Sequence, residues 1–414
     1  MKYLKKILRP ILNFLYKIDG YLKVKKAGKA RHKDIIINVL FVCQYLPSWE
    51  KNKALFDKML FDHSFNPKIL CIPSNPNKKI NDTYESLSRQ GIVNLINPLC
   101  ENGTYLSLSK IKYDYIFYDR PYNTYLPTEY KAKNSAKFGK VCLHPYALGL
   151  SKTLNYALTF SDFFSYVSIY FADSIDTRDF FKNEISKNNR YKKSVYLGYL
   201  GLANIISQQN NSTNIWDFSR GKTRIIWTPR WSTDSVGGGS NFFKYMDDFL
   251  TFNNSKNTSV LIRPHPKMFD NFVNSGLMTR SDVLRFKDSI NQSCNLALDE
   301  TSNYVPTLWK SDLLISDFST IIMEYILTGK PVIYCKSNID WDFFDFAKEL
   351  ISCCYIADSF KDICKYITDL SNGIDPLKTK REEFISNYAN KEWLSMTDVR
   401  FLEYFKKDFF GNLS

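Results

Sequence analysis

The chain has 414 residues, 44% hydrophobic and 24% charged, a globular composition too long for one economical core, so two domains of ordinary size are expected. No apolar run approaches the roughly 20 residues that span a bilayer. The net charge of +14 is concentrated: residues 1–33 hold eleven Lys or Arg against one acidic residue, Asp19, which argues against a nucleic-acid groove across the whole protein and for a local device at the N-terminus.

In that arm Leu4, Ile7, Leu8, Ile11, Leu12, Leu15 and Ile18 recur at helical spacing, with Lys2, Lys5, Lys6, Arg9 and Lys17 between them. A basic amphipathic helix of this kind suits an anionic inner-leaflet surface; the alternatives are a helix docked on the protein's own N-terminal lobe or a plain basic tail. Pro10 is expected to kink the helix unless it starts or breaks there. Residues 34–206 form the next domain: buried strands are expected at 35–43 (IIINVLFVC), 68–72, 113–118, 140–143 and 194–197, with helices such as 53–61 and 154–166 between them. A polar stretch, residues 207–222, reads as a linker. Residues 223–385 repeat the pattern, with strands at 223–227, 259–262, 312–315 and 331–334, and residues 386–414 read as a C-terminal helix returning to the first lobe. Two Rossmann-like doubly wound α/β lobes with an interlobe cleft make the GT-B architecture, in which ligands bind beyond the carboxyl ends of the strands.

Nine cysteines, at 43, 71, 100, 142, 294, 335, 353, 354 and 364, form no CxxC pair and sit mostly in apolar runs, as thiols of a reducing compartment do. No signal peptide is expected, because Pro10, Asn13 and the following lysines interrupt any apolar core. Together with the arm, this places the chain in the cytoplasm, peripheral at the inner face of the cell membrane.

The most informative segment is SDLLISDFSTIIMEYILTGKPVIYC, residues 311–335. A strand ends at Asp317-Phe318-Ser319-Thr320 and a helix follows, so Ser319 and Thr320 lie where free backbone N–H groups favour phosphate. Asp317 or Ser319 as a plain helix cap is the bland alternative. Glu324 lies further along the helix, and Gly329 closes it. In SVLIRPHP, residues 259–266, a strand delivers Arg263 and His265 to a turn stiffened by Pro264 and Pro266.

These two segments resemble the CDP-glycerol glycerophosphotransferase family, whose members transfer glycerol phosphate onto teichoic-acid or capsule chains. The first looks like that family's (T/S)D(Y/F)S(S/T) turn, and the second like its R-x-HP segment some fifty residues earlier. The resemblance implies a CDP-linked donor whose phosphates meet Ser319 and Thr320, with Arg263 as a fixed cation and His265 donating to the leaving phosphate. Asp317, Glu324, Arg230 and Gly198 complete the candidate donor site. Arg230 stands in RIIWTPRWS (224–232), similar to a segment that opens the family's second lobe, although Arg230 and Ser232 replace its Thr and Arg. Gly198 stands in VYLGYLG (195–201), similar to a strand ending in G-x-P, without the proline. For the first lobe the family has a W-H-G-T-P-like loop with a proposed base; here VCLHPYALGL (141–150) offers His144 for that role. Asp119-Arg120-Pro121-Tyr122, at another strand end, suits acceptor phosphate, acid–base work or a plain surface turn.

Neither HExxH nor a paired DxD motif occurs, so no metal or other cofactor is required beyond the donor substrate. The expected partners are a nucleotide-activated donor, a lipid-linked or polymeric acceptor and an anionic membrane surface, with no nucleic acid. Two readings compete with the glycerophosphotransferase one: a GT-B glycosyltransferase using a nucleotide sugar for cell-surface polysaccharide, and a non-catalytic membrane- or nucleic-acid-binding protein acting through the arm.

Overall fold

The computed structural model describes residues 2–29, 35–75, 79–185, 189–211, 213, 215–219, 223–234, 238–252, 258–301 and 303–411. By its internal contacts the chain divides into two units, Met1–Asn204 with Leu394–Ser414, and Ile205–Trp393.

The first unit is built on seven parallel strands: β1 (Ile37–Cys43), β2 (Phe65–Cys71), β3 (Leu95–Ile96), β4 (Tyr115–Tyr118), β5 (Lys140–Leu143), β6 (Val167–Ala172) and β7 (Lys193–Tyr196). Their order is β3-β2-β1-β4-β5-β6-β7. Strands β1, β4, β5 and β6 are buried along their whole length, which is why they read as continuous apolar runs rather than alternating ones. The helix expected over 154–166 is shorter, Lys152–Thr159, and the aromatic run beyond it leads into β6, a strand absent from the sequence reading.

Helix α1 (Lys2–Lys29) runs without interruption through Pro10. It docks through Val24, fully buried, and through Gly20, where an added Cβ would lie 2.1 Å from the Ser165 carbonyl oxygen. Asp19 accepts from the Tyr166 hydroxyl at 2.8 Å. The opposite face leaves Ile11, Phe14, Leu15, Ile18 and Leu22 exposed, a stripe at helical spacing. The side chains of residues 2–10 in the expected amphipathic pattern, and residues 30–34, lie outside the described ones.

A C-terminal helix, Thr397–Phe410, belongs to the first unit. Its Phe401, Phe405 and Phe409 recur every fourth residue and are buried on the sheet beside Tyr115, Phe117 and Phe171, each contributing about 1.5–3 kcal/mol by burial. Asp408, on the same helix, accepts from Tyr115 Oη at 2.8 Å, Lys140 Nζ at 2.6 Å and Lys193 Nζ at 2.5 Å.

The second unit repeats the design with β8 (Thr223–Thr228), β9 (Thr258–Ile262), β10 (Leu296–Leu298), β11 (Leu313–Ser316), β12 (Val332–Cys335) and β13 (Tyr355–Ala357), all parallel in the order β10-β9-β8-β11-β12-β13. Its core stacks Trp227 on Phe242 and Phe249. Arg381, without exposed surface, pairs with Asp375. Each unit is thus a doubly wound sheet, and the fold is GT-B-like. Residues 212, 214 and 220–222 of the expected linker and residues 235–237 lie outside the described ones.

Candidate functional site

In the second sheet the winding reverses between β8 and β11, which pair side by side. The turn after β8 carries Arg230, and the turn after β11 carries Asp317, Phe318, Ser319 and Thr320. Asp317 is wholly buried and ties the two turns together. Its carboxylate accepts the backbone N–H of Arg230 at 2.8 Å, the backbone N–H of Asn241 at 3.1 Å and the Asn241 side-chain amide at 2.8 Å. Burial outweighs those donors and raises its pKa to about 6.

Arg230 donates from Nη1 to the Phe318 carbonyl at 2.6 Å. Its guanidinium stands 5.2 Å from the Phe318 ring and 5.3 Å from the Trp341 ring, whose centroids are 4.2 Å apart. A planar cation held by two rings and a carbonyl is oriented in advance. Ser319 and Thr320, both half-buried, follow Phe318 in the chain. The helix they introduce, Ile321–Ile326, has no side-chain cap.

Arg263 and Glu324 have a different place from the one the sequence suggests. Arg263 is buried; its Nη1 meets Asp299 Oδ2 at 2.6 Å and its Nη2 donates to the Thr301 carbonyl at 2.8 Å. The guanidinium lies 5.0 Å from the Tyr304 ring, and the Tyr304 hydroxyl donates to Glu324 Oε2 at 2.6 Å. Glu324 is itself buried. Both residues brace the loop and helix around the 317–320 turn, with a carboxylate and a carbonyl engaging the guanidinium.

His265, two residues beyond Arg263, keeps exposed surface, and its ring lies 6.2 Å from Trp231. Nδ1 accepts the Lys267 N–H at 3.2 Å, so the neutral ring carries its proton on Nε2. Atoms crowded around the ring, then the positive charges of Lys267, Arg230 and Arg263, hold its pKa down at about 4. At neutral pH it is an uncharged hydrogen-bond donor until an anion arrives; a bound phosphate would offset those cations and favour the imidazolium.

In the first unit His144 does not have the surroundings of a base. It is 1% exposed, stacked on Tyr199 with centroids 5.1 Å apart and edge-on to Phe401 at 5.7 Å. Nε2 accepts the Leu200 N–H at 3.4 Å. Burial, and then the charge of Lys51, lower its pKa to about 3, so an enclosed aromatic core holds a neutral ring. Gly198 has a packing role in the structure. With φ at +97° and an added Cβ only 2.3 Å from Thr397 Oγ1, it lets the C-terminal helix approach the backbone.

The structure thus gathers Asp317, Phe318, Ser319, Thr320 and Arg230, with His265 near enough to feel the Arg230 charge, while His144 and Gly198 belong to the other unit. Asn241 and Trp341 belong to this gathering without having been singled out in the sequence. No local signal marks Asn241; for Trp341 the aromatic run 341–344 just after a strand end is such a signal. Among the described residues no three His, Cys, Asp or Glu side chains group as a metal site.

Residues 203–399 match the family described as CDP-Glycerol:Poly(glycerophosphate) glycerophosphotransferase. Curated protein sequences give no match to the chain. Among solved structures, the wall teichoic acid polymerase TagF superposes with a TM-score of 0.57 at 13% identity, covering 99% of this chain and 98% of that one. The UDP-GlcNAc 2-epimerase of Neisseria meningitidis bound to UDP-GlcNAc gives 0.60 at 14%, covering 90% and 100%. An S. aureus MnaA–UDP structure gives 0.60 at 13%, covering 92% and 98%. At these identities the likeness concerns the fold, and it extends over both units. The family match takes in the whole second unit and the turns gathered there, and it marks the chain as a transferase.

Proposed function

We propose that the protein moves glycerol phosphate, or a related alditol phosphate, from a CDP-linked donor to a hydroxyl of a cell-surface polymer or lipid-linked acceptor, releasing CMP. The observation that carries this reading is the Arg230 guanidinium oriented on the Phe318 carbonyl, in the turn that goes on to Ser319 and Thr320, at the reversal point of the sheet and inside the family match. The acceptor oxygen attacks the donor's β-phosphorus, the bond to the bridging oxygen breaks, and CMP carries that oxygen away while the acceptor's proton passes to a base. Charge grows on the leaving phosphate, where a fixed cation and hydroxyl donors stabilise it without reorganising. Arg230 is the cation of this site, Ser319 and Thr320 the hydroxyl donors, and His265 the donor from Nε2. No metal or other cofactor enters this scheme.

The exposed stripe of α1 supports placing the work at the inner face of the membrane. Among the described residues no helix is long and apolar enough to cross a bilayer; Ile11, Phe14, Leu15, Ile18 and Leu22 instead suit insertion at the interface, with the basic residues of the arm meeting anionic lipid. A second reading, sugar transfer from a nucleotide sugar, draws on the fold shared with a protein solved bound to UDP-GlcNAc. Incubation with CDP-glycerol and with a panel of nucleotide sugars separates the two: release of CMP supports alditol phosphate transfer, and release of a nucleoside diphosphate supports sugar transfer.

A further inference from the structure

The first unit has a reversal point of its own, between the paired strands β1 and β4, and the residues beyond their carboxyl ends form a cluster that the donor site does not use. Strand β1 leads to Gln44 and Tyr45, and β4 leads to Asp119 and Arg120. Among the described residues the Arg120 guanidinium makes one hydrogen bond, Nη2 to Gln44 Oε1 at 2.6 Å. Gln44 is held in place because its amide nitrogen donates to the Pro73 and Tyr125 carbonyls, which fixes its oxygen toward the arginine. The guanidinium carbon lies 5.4 Å from the Tyr45 ring and 6.0 Å from the Tyr125 ring.

Asp119 is the neighbouring carboxylate, yet it does not close a hydrogen-bonded pair. Its Oδ1 is 3.9 Å from Arg120 Nε, while Oδ2 takes the Ser48 hydroxyl. Burial raises its pKa, with the Arg120 charge and the Ser48 hydroxyl acting the other way. The contrast with Arg263 is informative: that guanidinium is engaged by Asp299 and the Thr301 carbonyl, whereas Arg120 is oriented by a neutral amide and two rings with donors to spare. Tyr122 and Tyr125 stand beside it, 38% and 49% exposed, offering ring surface next to a cation at the place where doubly wound sheets bind ligands.

We infer that Arg120 is the phosphate-binding group of an acceptor subsite in the first unit, which takes a phosphate ester of a polyol with Tyr122 and Tyr125 against its carbon skeleton. The inference rests on the alditol phosphate reading above and names where the acceptor is held. A planar guanidinium engages a phosphate ester through two N–H groups at once, and the tyrosine rings accept the C–H faces of a polyol.

The full chain is titrated calorimetrically with glycerol 3-phosphate, with glycerol as the uncharged control, and separately with CDP. The expected result is saturable binding of glycerol 3-phosphate and much weaker binding of glycerol. Arg120→Ala should weaken glycerol 3-phosphate at least tenfold, Arg120→Lys should fall between, and CDP affinity should stay within twofold in both variants. Competition by a short poly(glycerol phosphate) oligomer or by phosphatidylglycerol micelles, each dependent on Arg120, identifies a polymer end or a lipid headgroup as the source. The inference is overturned if the wild type fails to bind glycerol 3-phosphate at millimolar concentration, binds it no better than glycerol, keeps its affinity in Arg120→Ala, or loses CDP affinity in parallel. Arg120-dependent binding of glycerol 3-phosphate in a protein that does not bind CDP would leave the subsite standing and remove the donor reading.

Discussion

Replacing Asp317 by Ala should cost both stability and turnover, and the structure sets the size of the first effect. Three donors converge on this carboxylate, at 2.8, 3.1 and 2.8 Å. The Asn241 side-chain amide has a second acceptor in the Cys335 carbonyl at 3.2 Å, so the substitution orphans two backbone N–H groups, those of Arg230 and Asn241. An unsatisfied buried donor costs about 1–3 kcal/mol, and neighbouring losses do not add fully, which gives about 2–4 kcal/mol. Asp317→Asn keeps one acceptor oxygen and should lose less, about 1–2 kcal/mol. Urea unfolding of the full chain measures both. The pH dependence has a definite sign: a folded-state pKa of about 6, above an unfolded value of about 4, means that this side chain's contribution is complete below pH 4 and declines as the pH rises through 6. The gap between wild type and Asp317→Ala should therefore be wider at pH 4.5 than at pH 7.5, by on the order of 1–2 kcal/mol. A variant within about 0.5 kcal/mol of wild type, or a gap that widens toward neutral pH, would refute the reasoning.

Further outcomes follow from the same geometry. His265→Ala should lower turnover about 10²-fold or more, as loss of a donor to a developing anion does, while His265→Gln, which keeps an N–H donor, should retain part of it; equal losses in steady-state assays would count against hydrogen-bond donation. Asp408, where burial is the largest single effect but Lys140 and Lys193 together outweigh it and hold the carboxyl below its ordinary range, contributes stability that is present above about pH 4 and lost as the pH falls further. Asp408→Asn should consequently show less loss of thermal stability between pH 5 and pH 3 than wild type. On α1, Leu15→Glu together with Ile18→Glu alters residues that are 53% and 44% exposed, so the melting temperature should hold while flotation with anionic vesicles falls about tenfold or more; unchanged flotation would remove the membrane role of the helix.

The doubly wound sheets were legible in the sequence because strands such as β1 and β11 are covered on both faces and appear as unbroken apolar runs. Strands β3, β10 and β13 have only two or three residues each, too few to carry a period, and β6 was hidden at the end of an aromatic stretch that also suits a helix. The 317–320 turn was legible for a local reason, a strand running straight into a helix start. The roles of the two arginines were not. Arg230 and Arg263 both follow strand ends, and the ion pair that Arg263 makes depends on Asp299, brought in by a different strand. His144 misled for a related reason: its position just past β5 suggested access, but Tyr199 and Phe401, distant in sequence, enclose it. Local chemistry was readable; its neighbours were not.

The central claim is a diphosphate lying against the turn at Ser319 and Thr320. A crystal structure of the protein with CDP tests this most directly. The predicted result is a β-phosphate within hydrogen-bonding distance of the Ser319 or Thr320 hydroxyl, with the Arg230 guanidinium and His265 Nε2 directed at it and Arg263 still paired with Asp299. A nucleotide bound elsewhere, or phosphates held by Arg263 with its pair to Asp299 broken, would contradict it.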